Sequence, residues 1–181
     1  PKPCLTCEPL QLKQVLQTAL TSLQPLLTVN QTVIIDQVAA DLPPVRADSI
    51  QIQQVFEHLL INAVKHNPPG LTVTLTAEVR PVQDSESLSV PSPTSVLYCT
   101  IADNGVGLSQ EQCDRLFQLY VRGMDNRHLT GIGLGLHRCR QMITAHGGQI
   151  GVSSQPGAGA TFWFTLPLQA TQADADCSGF R

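Results

Sequence analysis

Apolar positions along the chain follow two rhythms, one that suits helices and one that suits strands. Recurrence at steps of three and four predicts three longer helices, over residues 10–23, 49–67 and 133–146. The first of these is expected to end near Pro25, and either Asp48 or Ser49 can cap the second. Ser109 can cap a further short helix that reaches Leu116.

Apolar side chains at alternate positions, or in short β-branched runs, predict strands over residues 32–36, 71–79, 95–102, 149–153 and 161–166. The second and third strands should form an antiparallel hairpin across a long loop rich in Ser, Pro and acidic residues, and the last two a second hairpin. Leu42–Arg46, with two prolines, is predicted as a turn. Helices gathered on one face of a mixed, mostly antiparallel sheet fit this order best, so we predict an α+β fold, a two-layer α/β sandwich.

The helix predicted over 49–67 carries two neighbouring stripes. One stripe is apolar and should form the buried face: Ile52, Val55, Phe56, Leu59, Leu60, Ala63 and Val64. The same spacing brings four polar side chains onto the adjacent edge: His58, Asn62, Lys65 and His66. That edge offers an amide, an ammonium group and two imidazoles to a common site.

Two glycine clusters, Asp103–Gly107 and Gly131–Leu136, frame a polar segment. The first places the carboxylate of Asp103 at the end of an apolar strand. The second runs directly into a predicted helix, and a glycine-rich turn at a helix start presents free N–H groups and a positive dipole end to phosphate. Residues 120–130, between the clusters, are polar and form a candidate lid.

Composition narrows the possible partners. The chain has 181 residues, which suits one domain, and a net charge of −3 gives no reason to expect nucleic acid as a ligand. It contains neither a run of 18 apolar residues nor a signal peptide, so we expect no direct membrane contact from this chain. A cytoplasmic location is therefore expected, and any membrane anchor of a longer protein would lie outside these residues.

The six cysteines do not form a recognisable metal site. Cys4 and Cys7 have CxxC spacing, but no second pair with ligand spacing accompanies them, so we interpret them as part of a linker. Cys99 and Cys139 fall in an apolar strand and a helix, where small buried thiols are expected. The default for all of them is the reduced state.

The motifs, taken together and in order, resemble those of sensor histidine kinases. Asp103–Gly107 and Gly131–Leu136 resemble the two glycine boxes, Asn62–His66 the Asn box and Leu116–Arg122 the Phe box, and the ending 146–167 is similar as well. The resemblance implies the Bergerat-type ATP-binding fold shared with gyrase, Hsp90 and MutL-type ATPases. It divides the chain into a linker remnant at 1–8, an ATP-binding catalytic domain at 9–168 and a polar tail at 169–181.

The resemblance also implies roles for the residues that bind ATP and Mg²⁺. Asp103 would accept a hydrogen bond from the adenine amino group, with Thr161 beside it, and Asn62 would ligate Mg²⁺. Lys65 would contact phosphate, and His66 would line the nucleotide, although a solvated helix lysine is an equally simple interpretation of Lys65. The remaining nucleotide contacts are assigned to Gly105, Gly107, Arg122, Gly131, Gly133, Leu134, Gly135 and Leu136.

His58 departs from the pattern, because many sensor kinases have a second Asn there and the ATPase relatives a Glu that activates water. Mg²⁺ prefers oxygen ligands, so a hydrogen bond from His58 to a phosphate or a water fits better than ligation. The lack of Glu at this position argues against the hydrolysing subclass. We therefore group His58 with Asn62 and Lys65 as candidate catalytic residues.

The implied activity is transfer of the ATP γ-phosphoryl group to a histidine on an upstream dimerisation helix that this chain lacks, for relay to the receiver domain of a response regulator. None of the five histidines has an acceptor-type context. The full-length protein is then expected to be a homodimer. Two alternatives remain open: an ATPase or serine-kinase relative on the same fold, and a degenerate nucleotide-binding module that only relays conformation.

Overall fold

The computed structural model describes residues 6–82, 95–117 and 133–168. The described elements, in chain order, are β1 (Glu8–Leu10), α1 (Leu12–Val29), β2 (Val33–Asp36), β3 (Val45–Ala47), α2 (Ser49–Lys65), β4 (Thr72–Pro81), β5 (Ser95–Asp103), α3 (Gln110–Arg115), α4 (Gly133–Ala145), β6 (Ile150–Ser154) and β7 (Ala160–Leu168).

Five strands form the main sheet, in the order β2-β4-β5-β7-β6. β2 runs parallel to β4, and the other neighbouring pairs are antiparallel. Both predicted hairpins, β4–β5 and β6–β7, are present. The mixed, mostly antiparallel sheet confirms the predicted α+β fold.

The core lies between one face of this sheet and helices α1, α2 and α4. Alternate residues of the central strands point into it, such as Leu97, Cys99 and Ile101 of β5, which are all buried. The apolar stripe predicted on α2 is buried against them, and its Phe56 ring meets Phe164 of β7 edge to face, with 5.3 Å between ring centroids. The sheet thereby fixes which edge of α2 remains free to form a site.

A second, two-stranded sheet was not expected from the sequence. β1 pairs with β3 antiparallel, with Glu8 opposite Ala47 and Leu10 opposite Val45. Val45 and Arg46, which were expected to belong to a turn, therefore form a strand together with Ala47. Each strand has only three residues, so neither leaves a period-two signal that could be detected. Glu8 already belongs to the folded unit, one residue before the predicted boundary.

The prediction that the first helix ends near Pro25 was wrong, since α1 continues to Val29 with Pro25 inside it. Proline lacks the N–H that would bond to the preceding turn and costs a helix interior about 3 kcal/mol. Leu27 is buried and Leu26 partly buried in the core beyond it, and burying each such side chain contributes about 1.5–3 kcal/mol. The gain from continuing the apolar stripe therefore outweighs the lost hydrogen bond.

Asp48 joins the start of α2 to the end of α4. Its Oδ1 caps α2 by accepting the N–H groups of Ile50 and Gln51, both at 3.1 Å, which decides between the two predicted caps. Its own N–H donates to His146 Nε2 at 2.9 Å, so that nitrogen must be the unprotonated one. His146 Nδ1–H then donates to the Met142 carbonyl at 2.7 Å. Both ring nitrogens of His146 are thus occupied, and the Nε2 bond joins the start of α2 to the end of α4.

Two of the cysteines lie in the core of the described structure. Cys99 and Cys139 are buried as predicted, and burial raises the pKa of the Cys139 thiol to about 12. No described helix is long and apolar enough to cross a bilayer. Cys4, the loop beyond residue 82 and the tail 169–181 lie outside the described residues.

Candidate functional site

A cavity of about 210 Å³ opens between the C-terminal half of α2, the turn that follows β5, α3 and the first residues of β7. Its walls are mainly apolar, with Ala63, Leu108, Leu116 and Phe162 among the lining residues. Polar side chains reach it from the C-terminal end of α2 and the residues that follow it, from Asp103, and from Gln112 of α3. A mostly apolar space with a few placed polar groups is typical of a small-molecule site.

Asp103 ends β5 and is 9% exposed, an unusual environment for a carboxylate. Its Oδ1 accepts the Gly105 N–H at 2.9 Å and the Ala160 N–H at 3.3 Å. Burial raises the pKa of this carboxyl above its ordinary value, and the two N–H bonds only partly oppose that shift. Among the described residues no cation pairs with it, so the carboxylate has room for a donor from a ligand.

The turn after Asp103 is tied to the rest of the site by its backbone. Val106 donates its N–H to Asn67 Oδ1 at 2.8 Å, and its carbonyl accepts the Gly157 N–H at 2.7 Å. Gly107 has a φ of +70°, and a Cβ there would lie 2.0 Å from the Gln155 carbonyl oxygen, so only glycine fits. The first glycine box is therefore held between the end of α2 and the β6–β7 turn.

The four residues of the polar stripe on α2 do not all reach the cavity. Asn62 and His66, four positions apart, line it as predicted. Lys65 is exposed in the last turn and does not line the cavity in the described structure. His58 lies one turn earlier, half-buried beside Gly135 at the start of α4, where a Cβ on Gly135 would be 3.3 Å from its Nδ1.

Both imidazoles of the stripe are shifted toward their neutral forms. Burial lowers the pKa of His58 below its ordinary value, and the positive charge of Arg138 lowers it further, against a smaller opposing effect of Glu57. Burial also lowers the pKa of His66, with the charge of Lys65 acting in the same direction. At neutral pH these side chains therefore act as hydrogen-bonding groups rather than as cations.

The second glycine box is only partly described. α4 begins at Gly133, so the predicted helix start is confirmed and its first N–H groups lack intrahelical partners. Leu136 is buried in the core, which leaves only its backbone available to a phosphate. Gly131, Arg122 and the candidate lid over 120–130 lie outside the described residues, as does the side chain of Leu134.

The prediction that Thr161 lies beside Asp103 is corrected by the strand register. Asp103 is paired with Ala160, whereas Thr161 is opposite Ala102. Because side chains alternate along a strand, Ala160 and Phe162 face the cavity and Thr161 points to the other face of the sheet. A one-residue shift in the register between β5 and β7 would place Thr161 opposite Asp103, and the sequence alone does not determine that register.

Two polar residues of the cavity were missed by the sequence analysis. Asn67 was included only as the last residue of the helix predicted over 49–67, and Gln112 only as part of the short helix that Ser109 can cap. Gln112 also completes a capping box, in which its Oε1 accepts the Ser109 N–H at 2.8 Å. An Asn directly after a helix next to a glycine box is the signal that could have drawn attention to Asn67.

Comparison with known proteins identifies the fold around this cavity. The family model for histidine kinase-, DNA gyrase B- and HSP90-like ATPases matches residues 47–170. The adaptive-response sensory kinase SasA of Synechococcus elongatus is 34% identical over 154 residues, which are 85% of this chain and 37% of that protein. The sensor histidine kinase GacS of Pseudomonas protegens is 32% identical over 171 residues, 93% of this chain and 18% of that protein. The chain thus spans only a minor part of the length of these relatives.

Solved structures agree with the family model. The full-length structure of ShkA in complex with AMPPNP superposes with a TM-score of 0.72 at 26% identity, over 92% of this chain and 32% of that one. The catalytic domain of the histidine kinase ThkA superposes with a TM-score of 0.70 at 20% identity, over 89% of this chain and 95% of that one, which supports the fold alone. The chain belongs to the histidine kinase-, DNA gyrase B- and HSP90-like ATPase family, as an ATP-binding catalytic domain of the histidine kinase type.

Proposed function

We propose that this domain binds Mg²⁺-ATP in the cavity beside α2 and presents the γ-phosphoryl group to a histidine on a dimerisation helix outside this chain. The observation that carries the proposal is Asp103, a buried carboxylate that lines the cavity and has no cationic partner in the described structure. A buried charge of this kind is costly unless a donor satisfies it. The exocyclic amino group of adenine is such a donor.

The adenine proposal follows from the chemistry of the two purines. Adenine carries a donor at its exocyclic position, while guanine carries a carbonyl oxygen that would face the carboxylate of Asp103. Ala63, Leu108 and Phe162 supply apolar surface for the ring. The site should therefore prefer ATP to GTP.

Mg²⁺ is assigned to Asn62, on the α2 side of the cavity. Asn62 supplies one neutral oxygen, which fits Mg²⁺, since this ion takes most of its ligands from phosphates and water. No cluster of three or more His, Cys, Asp or Glu side chains that could hold a metal occurs in the described residues, so no rival all-protein site was found there. When bound, the ion would neutralise charge on the phosphates.

The phosphates themselves are assigned to the start of α4 and its flanking groups. The N–H groups at Gly133–Gly135, which lack intrahelical partners, and the dipole of α4 favour an anion there. We assign to His58, beside Gly135, a hydrogen bond to a phosphate or a water. The exposed ammonium group of Lys65 contributes positive charge near the phosphates. Gly131 and Arg122 complete the proposed phosphate contacts from the undescribed segment.

Transfer then requires an acceptor that this chain does not supply. A histidine nitrogen forms the new P–N bond while the bond from the γ-phosphorus to the bridging oxygen breaks, and ADP leaves with the electron pair. His146 cannot be this nucleophile, because both of its ring nitrogens are hydrogen-bonded in the fold. The partners that we infer are therefore the protein's own dimerisation helices, in a homodimer, and the receiver domain of a response regulator. One solved neighbour is a complex of ThkA with the response regulator TrrA, which supports the second inference by analogy.

The domain limits and location are inferred in the same way. Residues 9–168, together with Glu8 of β1, form the catalytic domain, with a linker before it and a tail at 169–181. Since ATP is the substrate, we place the domain in the cytoplasm. The net charge of −3 gives no reason to add nucleic acid as a partner.

Calorimetric titration with ATP and with GTP, each with Mg²⁺, tests the binding proposal directly. ATP should bind at least about tenfold more tightly, the difference expected from one charge-assisted hydrogen bond gained with adenine and lost with guanine. Equal affinity for the two nucleotides would refute the assignment of Asp103 to adenine.

A further inference from the structure

We propose that Asn67 is a positioning residue that locks the adenine-binding turn to α2, and that residue 105 is glycine because of Asn67 rather than because of the nucleotide. This inference rests on the proposed function, since it concerns the same cavity. Glycine is then required at position 105 because the side chain of Asn67 occupies the space that a larger residue would need.

The side chain of Asn67 bridges two parts of the site. Its Nδ2 donates to the carbonyl of Ala63, in the last turn of α2, at 2.8 Å. Its Oδ1 accepts the N–H of Val106, in the turn after Asp103, at 2.8 Å. The amide thus uses one donor and one acceptor to join the helix that carries Asn62 to the turn that follows Asp103, and it also lines the cavity.

Gly105 lies directly against this amide. A Cβ built on Gly105 would be 1.8 Å from Oδ1, 2.2 Å from Cγ and 2.6 Å from Nδ2 of Asn67, and these are the three nearest heavy atoms. Gly105 is not among the glycines with positive φ, so its backbone conformation is open to alanine. The obstacle to a side chain at 105 is therefore Asn67, not the backbone.

Gly107 provides a contrast within the same turn. It has a φ of +70°, and a Cβ there would meet backbone, the carbonyl oxygen of Gln155, at 2.0 Å. No side-chain truncation can relieve that contact. The two glycines of the box are thus required for different reasons, and a mutational experiment can separate them.

The lock matters for nucleotide binding because ATP spans both parts that Asn67 joins. Asp103 is assigned to adenine, and Asn62, on α2, to the Mg²⁺-phosphate end. A ligand that engages both at once needs their separation fixed in advance, since ordering the turn on binding would lower affinity. Asn67 fixes it with two hydrogen bonds across the cavity wall.

A double-mutant cycle in the whole chain tests the inference, with Mg²⁺-ADP affinity measured by calorimetry. Asn67→Ala should weaken binding about five- to tenfold, as expected for losing hydrogen bonds that hold the site. Gly105→Ala alone should weaken it by at least about tenfold, because Cβ displaces the Asn67 amide. In the double variant, Gly105→Ala should add no more than about twofold to the effect of Asn67→Ala, because the space is then free.

Gly107→Ala is the matched control, and it should be as harmful with Asn67→Ala as without it. Thermal unfolding identifies a temperature at which every variant is folded, and the ATP-to-GTP affinity ratio is measured there. The ratio should fall in Asn67→Ala, because Asp103 is then poorly placed, whereas a role in stability alone would leave it unchanged. Additive effects of Asn67→Ala and Gly105→Ala, or wild-type affinity in Asn67→Ala, would overturn the inference. If the wild-type domain does not bind ADP at all, the proposed function fails instead.

Discussion

Replacing Asp103 with asparagine should weaken ATP binding and, at neutral pH, stabilise the unliganded domain. The substitution keeps the shape of the side chain and the Oδ1 atom that accepts the N–H groups of Gly105 and Ala160. It removes the negative charge and replaces Oδ2, which accepts no hydrogen bond in the described structure, with a donor. The two effects have opposite signs because the buried charge destabilises the unliganded fold, whereas the same charge strengthens the proposed hydrogen bond to adenine.

The loss of affinity follows from the contact proposed for Asp103. A hydrogen bond to a charged group contributes about 1.5–3 kcal/mol, so its loss corresponds to about a tenfold to hundredfold weaker complex. Asparagine also presents an amide N–H₂ toward the amino group of adenine when its oxygen is held by Gly105 and Ala160. Donor then faces donor, which places the expected effect toward the upper end of that range.

The gain in stability depends on pH in a defined direction. Burial raises the pKa of Asp103 above its ordinary value of 3.8, so the folded domain holds that proton more tightly than the unfolded chain does. The wild-type domain therefore loses stability as pH rises through the folded pKa of this group. An asparagine side chain has no such proton to lose, so the advantage of Asp103→Asn should be absent at low pH and fully present at neutral pH.

Urea unfolding of both proteins at about pH 3.5 and about pH 7, on either side of that transition, measures the stability difference. Calorimetry with Mg²⁺-ATP at neutral pH measures the affinity. The reasoning is refuted if Asp103→Asn is the less stable protein at neutral pH and keeps wild-type affinity.

Three further substitutions test other parts of the site. His146→Ala leaves the N–H of Asp48 without its acceptor and should cost about 1–3 kcal/mol in urea unfolding, with little change in ATP affinity; an unchanged midpoint would show that this bond is dispensable. Thr161→Ala should change ATP affinity by no more than about twofold, because its side chain faces away from the cavity; a larger loss would restore its predicted role at adenine. Asn62→Ala should reduce phosphoryl transfer to a supplied acceptor domain by at least about tenfold in a protein that remains folded, and full activity would remove it from the Mg²⁺ site.

Much of the architecture could be predicted because long elements leave long patterns. The buried stripe of α2 and the alternation of β4, β5 and β7 each extend over several periods, so the element types and the two hairpins followed from them. The site could be predicted where its residues lie on, or at the end of, one of these long elements. Asn62 and His66 lie on the helical stripe, and Asp103 lies at the strand end, that the sequence indicates. The structure brings all three to one cavity.

The remaining features depend on tertiary contacts that no local pattern records. β1 pairs with β3 across more than thirty intervening residues, beside two prolines that favour a turn. Pro25 is tolerated because Leu27 is buried beyond it. Thr161 and Ala160 are adjacent in sequence, and only the register with β5 shows which of them faces the cavity. The role of Asn67 depends on where one amide points.

Transfer of labelled phosphate tests the central claim most directly. The domain is incubated with γ-labelled ATP and Mg²⁺, alone and with the dimerisation helices that we propose as its partner, and the products are treated with acid and with alkali. The account predicts no stable label on the 181-residue chain itself and a label on one histidine of the helices that is lost in acid and retained in alkali. Positioning that acceptor near the γ-phosphate should supply much of the rate. Robust acid-stable label on the chain itself would contradict the account and indicate a serine kinase on the same fold.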